Sequence, residues 1–447
     1  MRRIRLGTGA GYSGDRIEPA IELARHGRLD YLVFECLAER TIALAQGEAR
    51  RDPLRGYDPL LEARMRAVLP DCRAQGVRIV TNMGAANPRA AARRVLQIAG
   101  ELGLDGLRVA AVTGDDVLSL IERAPVALDI GGTSADLGAR IISANAYLGA
   151  EPVAAALAAG AEVVVTGRVA DPALFLGPLM HEFGWSPDDP ARMGQGVLAG
   201  HLLECAGQLT GGYFAEPGLK EVPDMHRLGF PIGEVGEDGG VTLSKVAGSG
   251  GRISLRTVKE QLLYEVHDPA AYIQPNVVAD FSGVRLEELG PDSIRASGAG
   301  GRARTGKLKV SVGYLDGWIG EGQIAYAGPG APARARLARE IVRERLRLIG
   351  LAADELSFDL IGVDALHGPD LSRGAEPWEV RLRVAGRCAA EAEAARIGNE
   401  VESLYTNGPA GGGGAWKSVR RIVAIASGFI DAAQVHAGFE MVTEAQA

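Results

Sequence analysis

Short apolar runs alternate with amphipathic stretches through the first 170 residues of the chain. Amphipathic stretches that predict helices lie between apolar runs that predict buried strands, and residues 141–144 read as a further strand or a buried turn. The strand runs are 3–7, 31–35, 77–82, 107–113 and 162–166, and the helical stretches are 15–26, 60–75, 90–102 and 152–160. This rhythm predicts an α/β fold with a parallel, Rossmann-like sheet and helices on both faces.

The pattern changes after residue 170, and 447 residues are too many for one ordinary core. We predict one domain over 1–295, with a β-rich insertion near 209–260, and a smaller C-terminal α+β domain over 300–447. The elements expected in the second domain are strands at 308–314, 357–363 and 379–385, helices at 331–348, 388–405 and 415–431, and a glycine-rich loop at 407–414.

Composition narrows the class of protein. The net charge is −8 without blocks of like charge, which argues against a nucleic-acid partner, and no apolar run approaches the ~20 residues that span a membrane. The four cysteines are scattered and form no CxxC pair, as expected of reduced thiols in a cytoplasmic protein. There is no HExxH or zinc-type spacing, so we predict no metal site and assign no cofactor. We expect a homo-oligomer.

The segment 141–185 combines apolar runs with several polar residues that could bind a ligand. The apolar run 162–166 ends in Arg168 and Asp171, and Asn145 follows another apolar segment. Ligands bind beyond the carboxyl ends of parallel strands, and arginine suits carboxylate or phosphate. We therefore expect a small-molecule site, with Arg168 and Asn145 binding substrate and Asp171 moving a proton.

A GxGxxG pattern follows the first strand. Its glycines are Gly9, Gly11 and Gly14, and Glu35 ends the next strand, where a dinucleotide-binding acid would lie. Three interpretations stay open: an NAD site, a loop for another anion, and a structural turn. The predicted ligand loop also includes three neighbouring residues: Ser13, Asp15 and Arg16.

Other strand ends carry amides and acids. Asn82 and Asn87 follow the third strand, where they either bind a carbonyl or carboxylate or form a turn and helix cap. Asp115 and Asp116 follow the fourth strand, and we favour helix capping for one of them over a metal site.

Two further clusters are candidates. His201 and Glu204 lie three residues apart on a predicted helix and share one face, as a general acid–base pair or a structural polar pair would. The NGPAGGGG loop, with Asn407, Gly411 and Gly412, precedes a predicted helix and is either an anion site or a hinge.

Six longer motifs resemble those of the acyclic terpene utilisation AtuA family. They extend over nearly the whole chain and are GAGYSGDR (9–16), SANAYLGAEP (143–152), TGRVADPALFLGPL (166–179), GHLLECAGQLTGGYF (200–214), EQLLYEVHDPAAY (260–272) and LYTNGPAGGGG (404–414). The resemblance implies a catabolic setting with acyl-CoA intermediates, as in citronellol and geraniol breakdown, and a small companion subunit. It implies no catalytic residues.

These observations favour a cytosolic catabolic enzyme that acts on an acyl-CoA or carboxylate substrate by hydratase or lyase chemistry. In this hypothesis Arg168 holds an anion, Asn82 and Asn145 orient a carbonyl, and Asp171 or the His201–Glu204 pair moves the adjacent proton. The alternatives are an NAD-dependent oxidoreductase and a non-catalytic scaffold subunit of an acyl-CoA-metabolising complex.

Overall fold

The structure is a computed structural model that describes residues 2–372, 374 and 376–443. The chain forms two compact units, 1–313 with 425–447 and 314–424. The second unit lies inside the stretch 300–447, whereas residues 300–313 and 425–447 group with the first unit.

The strands of the described chain are, in order, β1 (Arg3–Ala10), β2 (Tyr31–Phe34), β3 (Arg78–Thr81), β4 (Val109–Thr113), β5 (Ile141–Ala146), β6 (Val163–Thr166), β7 (Pro231–Gly236), β8 (Val241–Lys245), β9 (Tyr272–Ile273), β10 (Val278–Asp280), β11 (Arg285–Gly290), β12 (Ser293–Ser297), β13 (Gly300–Arg302), β14 (Lys307–Ala327), β15 (Glu355–Ile361), β16 (Glu379–Cys388), β17 (Gly413–Asp431) and β18 (Gly438–Val442).

The helices are α1 (Glu18–His26), α2 (Glu39–Arg51), α3 (Leu61–Gln75), α4 (Pro88–Glu101), α5 (Leu118–Arg123), α6 (Ser134–Leu137), α7 (Glu151–Ala158), α8 (Ala173–Phe183), α9 (Pro190–Glu204), α10 (Leu255–Leu263), α11 (Ala331–Leu348), α12 (Gly368–Leu371), α13 (Glu391–Glu402) and α14 (Leu404–Asn407). No helix in the described part of the chain is long and apolar enough to cross a membrane.

A ten-stranded sheet organises the first unit, in the order β11-β12-β8-β7-β1-β2-β3-β6-β4-β18. The five strands β1, β2, β3, β6 and β4 are parallel. Every residue of β2 and β6 is buried, as in strands covered on both faces. The carboxyl ends of these five strands therefore meet at one edge of the sheet.

Helices cover both faces of this parallel core. Helices α1, α3 and α4 share a hydrophobic core with alternate strand residues such as Phe34, Ile79 and Val165. Helices α7, α8 and α9 contact the same strands but contribute no residue to that core, so they cover the other face. The predicted α/β arrangement of this part is confirmed.

The prediction of a parallel, Rossmann-like sheet is wrong for the sheet as a whole. β7 lies antiparallel against β1, and β8, β12 and β11 extend that edge antiparallel, while β18 adds antiparallel to β4. Residues predicted as an insertion, 209–260, supply β7 and β8. The β7–β8 and β11–β12 pairs are hairpins, whose connections are too short for a parallel crossover.

The second unit is α+β. Its strands follow the order β15-β16-β14-β17, and Ile324, Leu382 and Val384 pack with Ala335, Val342 and Ile397 of helices α11 and α13. The helix predicted at 331–348 is confirmed. The helix predicted at 415–431 is wrong, because this stretch forms β17, where β-branched residues such as Val419 and Ile422 are favoured in a pleated sheet.

Gly194 of helix α9 lies against the backbone of β13, so a methyl group added at this position should destabilise the fold. A Cβ at Gly194 would overlap the carbonyl oxygen of Gly300 in β13. We expect Gly194→Ala to lower the free energy of unfolding by about 2 kcal/mol, measured by urea denaturation. Gly47 in α2 has open space around its Cα, so Gly47→Ala is the matched control and should stabilise by about 0.5–1 kcal/mol. Equal effects of the two substitutions would contradict the close contact.

Candidate functional site

A cavity of about 980 Å³ opens within the first unit. Loops that follow the parallel strands β1, β2 and β6 line it with residues 11–16, Glu35, Arg168, Ala170 and Asp171. The end of α9 and the segments 264–265 and 272–275 supply other walls. The cavity thus lies at the carboxyl edge of the parallel strands, where open α/β sheets bind ligands.

Arg168 is the buried cation of the site, with 1 % of its surface exposed. Its guanidinium donates to the Leu37 carbonyl and pairs with the Asp171 carboxylate. The same group lies 4.1 Å from the centroid of the Tyr147 ring. Both terminal nitrogens of Arg168 therefore already have protein partners, and the guanidinium fixes Asp171 and the loop after β2.

Asp115 holds the backbone of this arginine. Its Oδ2 accepts from the Arg168 N–H at 2.9 Å and from Asn145 Nδ2 at 2.9 Å. Burial raises the pKa of Asp115 to about 6, although these two donors oppose the shift. Asp116 Oδ1 accepts the Leu118 N–H at 3.1 Å just before α5, but the N-cap position of α5 is Val117, which forms no side-chain cap, so the favoured capping role is not found. Asn145 thus supports the cavity from beneath and is not one of its lining residues.

Glu35 is oriented by Asn82. Its Oε1 accepts from Asn82 Nδ2 at 2.9 Å and from the Leu37 N–H at 2.9 Å, while Asn82 Oδ1 accepts from the Cys36 N–H at 2.7 Å. Burial and the nearby charge of Asp171 raise the pKa of Glu35 to about 8. With two donors on Oε1, the proton of Glu35 belongs on Oε2. Asn82 therefore positions a carboxylic acid.

The hydrogen-bond pattern of His201 and Glu204 assigns their protons. His201 Nε2 lies 3.2 Å from the Leu262 carbonyl, which only accepts, so Nε2 carries hydrogen. Burial lowers the pKa of His201 to about 4, so the ring is neutral near pH 7 and Nδ1 is bare. Glu204 Oε1 lies 3.2 Å from Nδ1 and must therefore donate to it. Glu204 is a protonated acid on the cavity wall, and His201 lies behind it.

The carboxylates near Glu204 support the assignment of a proton to it. Burial, Asp171 and Glu265 raise the pKa of Glu204 well above its usual range, and Arg168 opposes them. Burial also raises the pKa of Asp171, again opposed by Arg168. Several carboxyl groups thus share one guanidinium, and some of them hold protons at neutral pH.

A second charged cluster lies beside Arg168, around Tyr147. The Tyr147 hydroxyl donates to Glu39 Oε1 at 2.6 Å, and Lys309 Nζ lies 3.1 Å from the same oxygen. Burial opposes ionisation of Glu39, but the Tyr147 hydroxyl, a backbone N–H and Lys309 together lower its pKa to about 2. The cavity therefore combines a firmly ionised acid, Glu39, with protonated ones.

The glycine loop has structural reasons for its glycines. A Cβ at Gly9 would lie 2.5 Å from the Phe34 ring, and one at Gly11 would lie 2.6 Å from the Cys205 carbonyl carbon. Gly11, Ser13, Gly14, Asp15 and Arg16 line the cavity, whereas Gly9 lies within β1.

The loop lacks the arrangement of a dinucleotide-binding turn. Helix α1 begins at Glu18, four positions beyond Gly14, because Pro19 occupies its first turn. On the side away from β2, β1 is flanked by the antiparallel β7, so β1 does not border the crevice that a dinucleotide spans between parallel halves.

Four further residues that were predicted to belong to the site do not line the cavity. Asn87 accepts the Ala90 N–H at 3.2 Å and caps α4, the structural alternative for this residue. Asn407, Gly411 and Gly412 belong to the second unit, where Asn407 Nδ2 donates to the Ser403 carbonyl at 3.1 Å. The loop leads into strand β17, so the helix predicted to follow it, whose N-terminus was to hold the anion, does not form.

Sequence reasoning missed several cavity residues. They are Glu39, Lys309, Glu265 and Tyr272, and Tyr147 was not assigned a role. Glu39 begins helix α2, which we did not predict because its apolar positions are few. Glu265 and Tyr272 lie inside the motif EQLLYEVHDPAAY, so motif membership was the available signal.

The fold and the cavity define an α/β protein with a charged cavity at the carboxyl ends of its parallel strands. The family profile described as "Acyclic terpene utilisation family protein AtuA" matches residues 4–441. The chain therefore belongs to the AtuA family, as its motifs indicated. A comparison with curated proteins found no match.

The raised pKa of Glu35 predicts a pH-dependent stability. The folded protein keeps the proton to about pH 8, whereas an unfolded glutamate loses it near 4.5, so this group stabilises the fold below 4.5 and its contribution is lost as pH rises to 8. We expect Glu35→Gln to reduce the fall in unfolding free energy between pH 5 and pH 8, measured by urea denaturation. An unchanged difference between those two pH values would contradict a protonated Glu35.

The proton assignment at His201 predicts a single ring tautomer. Nitrogen-15 NMR of labelled histidine should show His201 with a protonated Nε2 and a bare Nδ1 from pH 6 to 8, with the signal assigned by its loss in His201→Gln. Glu204→Gln should keep this tautomer, because the amide NH₂ donates to Nδ1 as the acid does. Two protonated ring nitrogens would instead indicate an ion pair with Glu204.

Proposed function

We propose that this chain is a catabolic enzyme that adds water to, or removes it from, an organic acid or acyl thioester by acid–base catalysis. The observation that carries the proposal is the contrast between two cavity carboxyl groups. Burial raises the pKa of both groups, but Asp171 forms an ion pair with the Arg168 guanidinium, whereas Glu35, whose pKa is about 8, accepts only neutral N–H donors. Where the surroundings of two carboxyl groups differ in this way, one group can act as the acid and the other as the base.

In the dehydration direction, Asp171 takes the proton next to the substrate carbonyl. The electrons of the broken C–H bond form the double bond, the C–O bond to the hydroxyl breaks, and Glu35 Oε2 gives its proton to the departing oxygen, which leaves as water. Hydration is the reverse. Burial strengthens Asp171 as a base by raising its pKa, while Arg168 keeps its charged form accessible.

The size and walls of the cavity support a substrate with an anionic or carbonyl head and an apolar portion. Its volume of about 980 Å³ lies at the upper end of the usual range for ligand pockets. Lys309 offers a cation to a carboxylate or thioester oxygen. Exposed apolar side chains line the same cavity: Tyr12, Tyr213, Met225, Ile273 and Phe429.

Family membership supports the catabolic setting, since the family is named for the utilisation of acyclic terpenes. A CoA thioester is the form of substrate that we propose for such a route. Association with a small companion subunit and with further copies of the chain belongs to the same proposal, and co-purification and light scattering test it.

The oxidoreductase alternative has weaker support, because the glycine loop stands apart from a helix N-terminus and beside an antiparallel strand. An NADH titration followed by fluorescence separates the two functions. Saturable binding would favour the oxidoreductase over the hydratase.

The purified chain should convert enoyl thioesters or their 3-hydroxy counterparts, followed by the ultraviolet absorbance of the conjugated double bond. We expect Glu35→Gln and Asp171→Asn each to lower kcat by about 10²–10⁴, the usual contribution of a general acid or base. Asp116→Asn, at the start of α5, is the control and should keep near-normal kcat. Full activity in both cavity variants would refute the assignment, and no turnover by the parent chain would favour the scaffold alternative.

A further inference from the structure

A second feature of the cavity is the way a buried arginine holds the glycine loop. Arg64 of α3 is fully buried and pairs with Asp58 at 3.3 Å. Its Nη2 donates to the carbonyl oxygens of Ser13 at 2.8 Å, Asp15 at 3.2 Å and Tyr12 at 3.4 Å. One guanidinium thus gathers three loop carbonyls on one side of the loop.

The orientation of the carbonyls fixes that of the N–H groups. In a planar trans peptide the C=O and the N–H of the next residue point in opposite directions. Because the carbonyls of Tyr12 and Ser13 point to Arg64, the N–H groups of Ser13 and Gly14 point away from it. Ser13 and Gly14 line the cavity and Arg64 does not.

The loop's hydrogen bonds leave these two groups available. Among the residues that the structure describes, none accepts from the N–H of Ser13 or Gly14. The neighbouring N–H groups of Gly11 and Arg16 both donate to the Asp15 carboxylate, at 2.9 Å each. This loop therefore already binds one carboxylate, its own, through backbone N–H groups. The Ser13 hydroxyl is engaged elsewhere, with Asp58 at 2.6 Å.

We propose that the N–H groups of Ser13 and Gly14 form a binding subsite for an anionic oxygen of the ligand, and that Arg64 is the residue that positions them. Successive N–H groups that converge on one side of a loop form an anion-binding nest. The oxygen belongs to a carboxylate or to a phosphate group. The subsite is independent of the acid–base reaction, because Glu35 and Asp171 take no part in it.

Titration of the nitrogen-15-labelled full chain tests the subsite directly. Sodium phosphate and sodium acetate serve as the two probes, and the amide resonances of Ser13 and Gly14 should shift with saturation. Tighter binding of phosphate assigns the subsite to a phosphate ester, and tighter binding of acetate assigns it to a carboxylate. Shifts confined to surface arginines and lysines would overturn the proposal.

Two substitutions of Gly14 distinguish loss of its N–H from the effect of adding a side chain. Gly14→Pro removes the N–H and should weaken binding of the tighter probe about tenfold, the worth of a hydrogen bond to a charged group. Gly14→Ala keeps the N–H, and the three atoms nearest to its Cβ would all belong to the exposed Tyr12 side chain, which can move, so affinity should stay within about threefold of the parent. Equal affinities of the two variants would overturn the assignment.

Arg64→Met tests the positioning role, because it releases the loop carbonyls without changing Ser13 or Gly14. It should abolish the selective shifts of the two amides, while persistence of those shifts would show that Arg64 does not set their direction. Glu35→Gln should retain anion binding even where turnover is lost. Failure of the proposed reaction is thereby distinguishable from failure of the subsite.

Discussion

The site depends on the burial of one guanidinium among several carboxyl groups. Arg168 has 1 % of its surface exposed, and its charge is offset by Asp171 and by the Leu37 carbonyl. A buried charge is tolerated only when it is paired and hydrogen-bonded. One cation cannot keep Asp171, Glu35 and Glu204 all ionised, and burial therefore leaves protons on some of them. The contrast between acid and base in this cavity follows from that shortage of positive charge.

A layer of amides and acids beneath the cavity keeps these groups in place. Asn145 and Asp115 hold the Arg168 backbone, Asn82 holds Glu35, and His201 holds Glu204. Each of these partners is buried. Polar groups that support a reactive residue in this way fix its rotamer and the atom that carries its proton. In the glycine loop, a buried side chain orients backbone groups in a similar way. Arg64 donates to the loop carbonyls and thereby sets the direction of its peptides.

Much of the parallel core was predictable because its strands are short, wholly apolar runs. The runs at 31–35 and 162–166 correspond to β2 and β6, and in the second unit the predicted helix 331–348 has the bounds of α11. The antiparallel edges were not predictable in this way. Pro231–Gly236 pairs with β1 along the edge that β1 leaves open. The local pattern of apolar residues does not show which strand will be the partner. The stretch 415–431 was mistaken for a helix because its strand character comes from its place beside β14.

The sequence by itself determined the family, the strand-and-helix rhythm of the parallel core and the edge of the sheet at which Glu35, Arg168 and Asp171 collect. These follow from local composition and from motifs that the chain carries in one piece. Tertiary structure decided the role of each polar residue. Asn82, Asn145 and His201 became supports, and Glu39, Tyr147 and Lys309 joined the cavity wall. The physical reason is that protonation and hydrogen bonding depend on burial and on partners far apart in sequence, such as Asp115 and Arg168, which only the folded chain brings together.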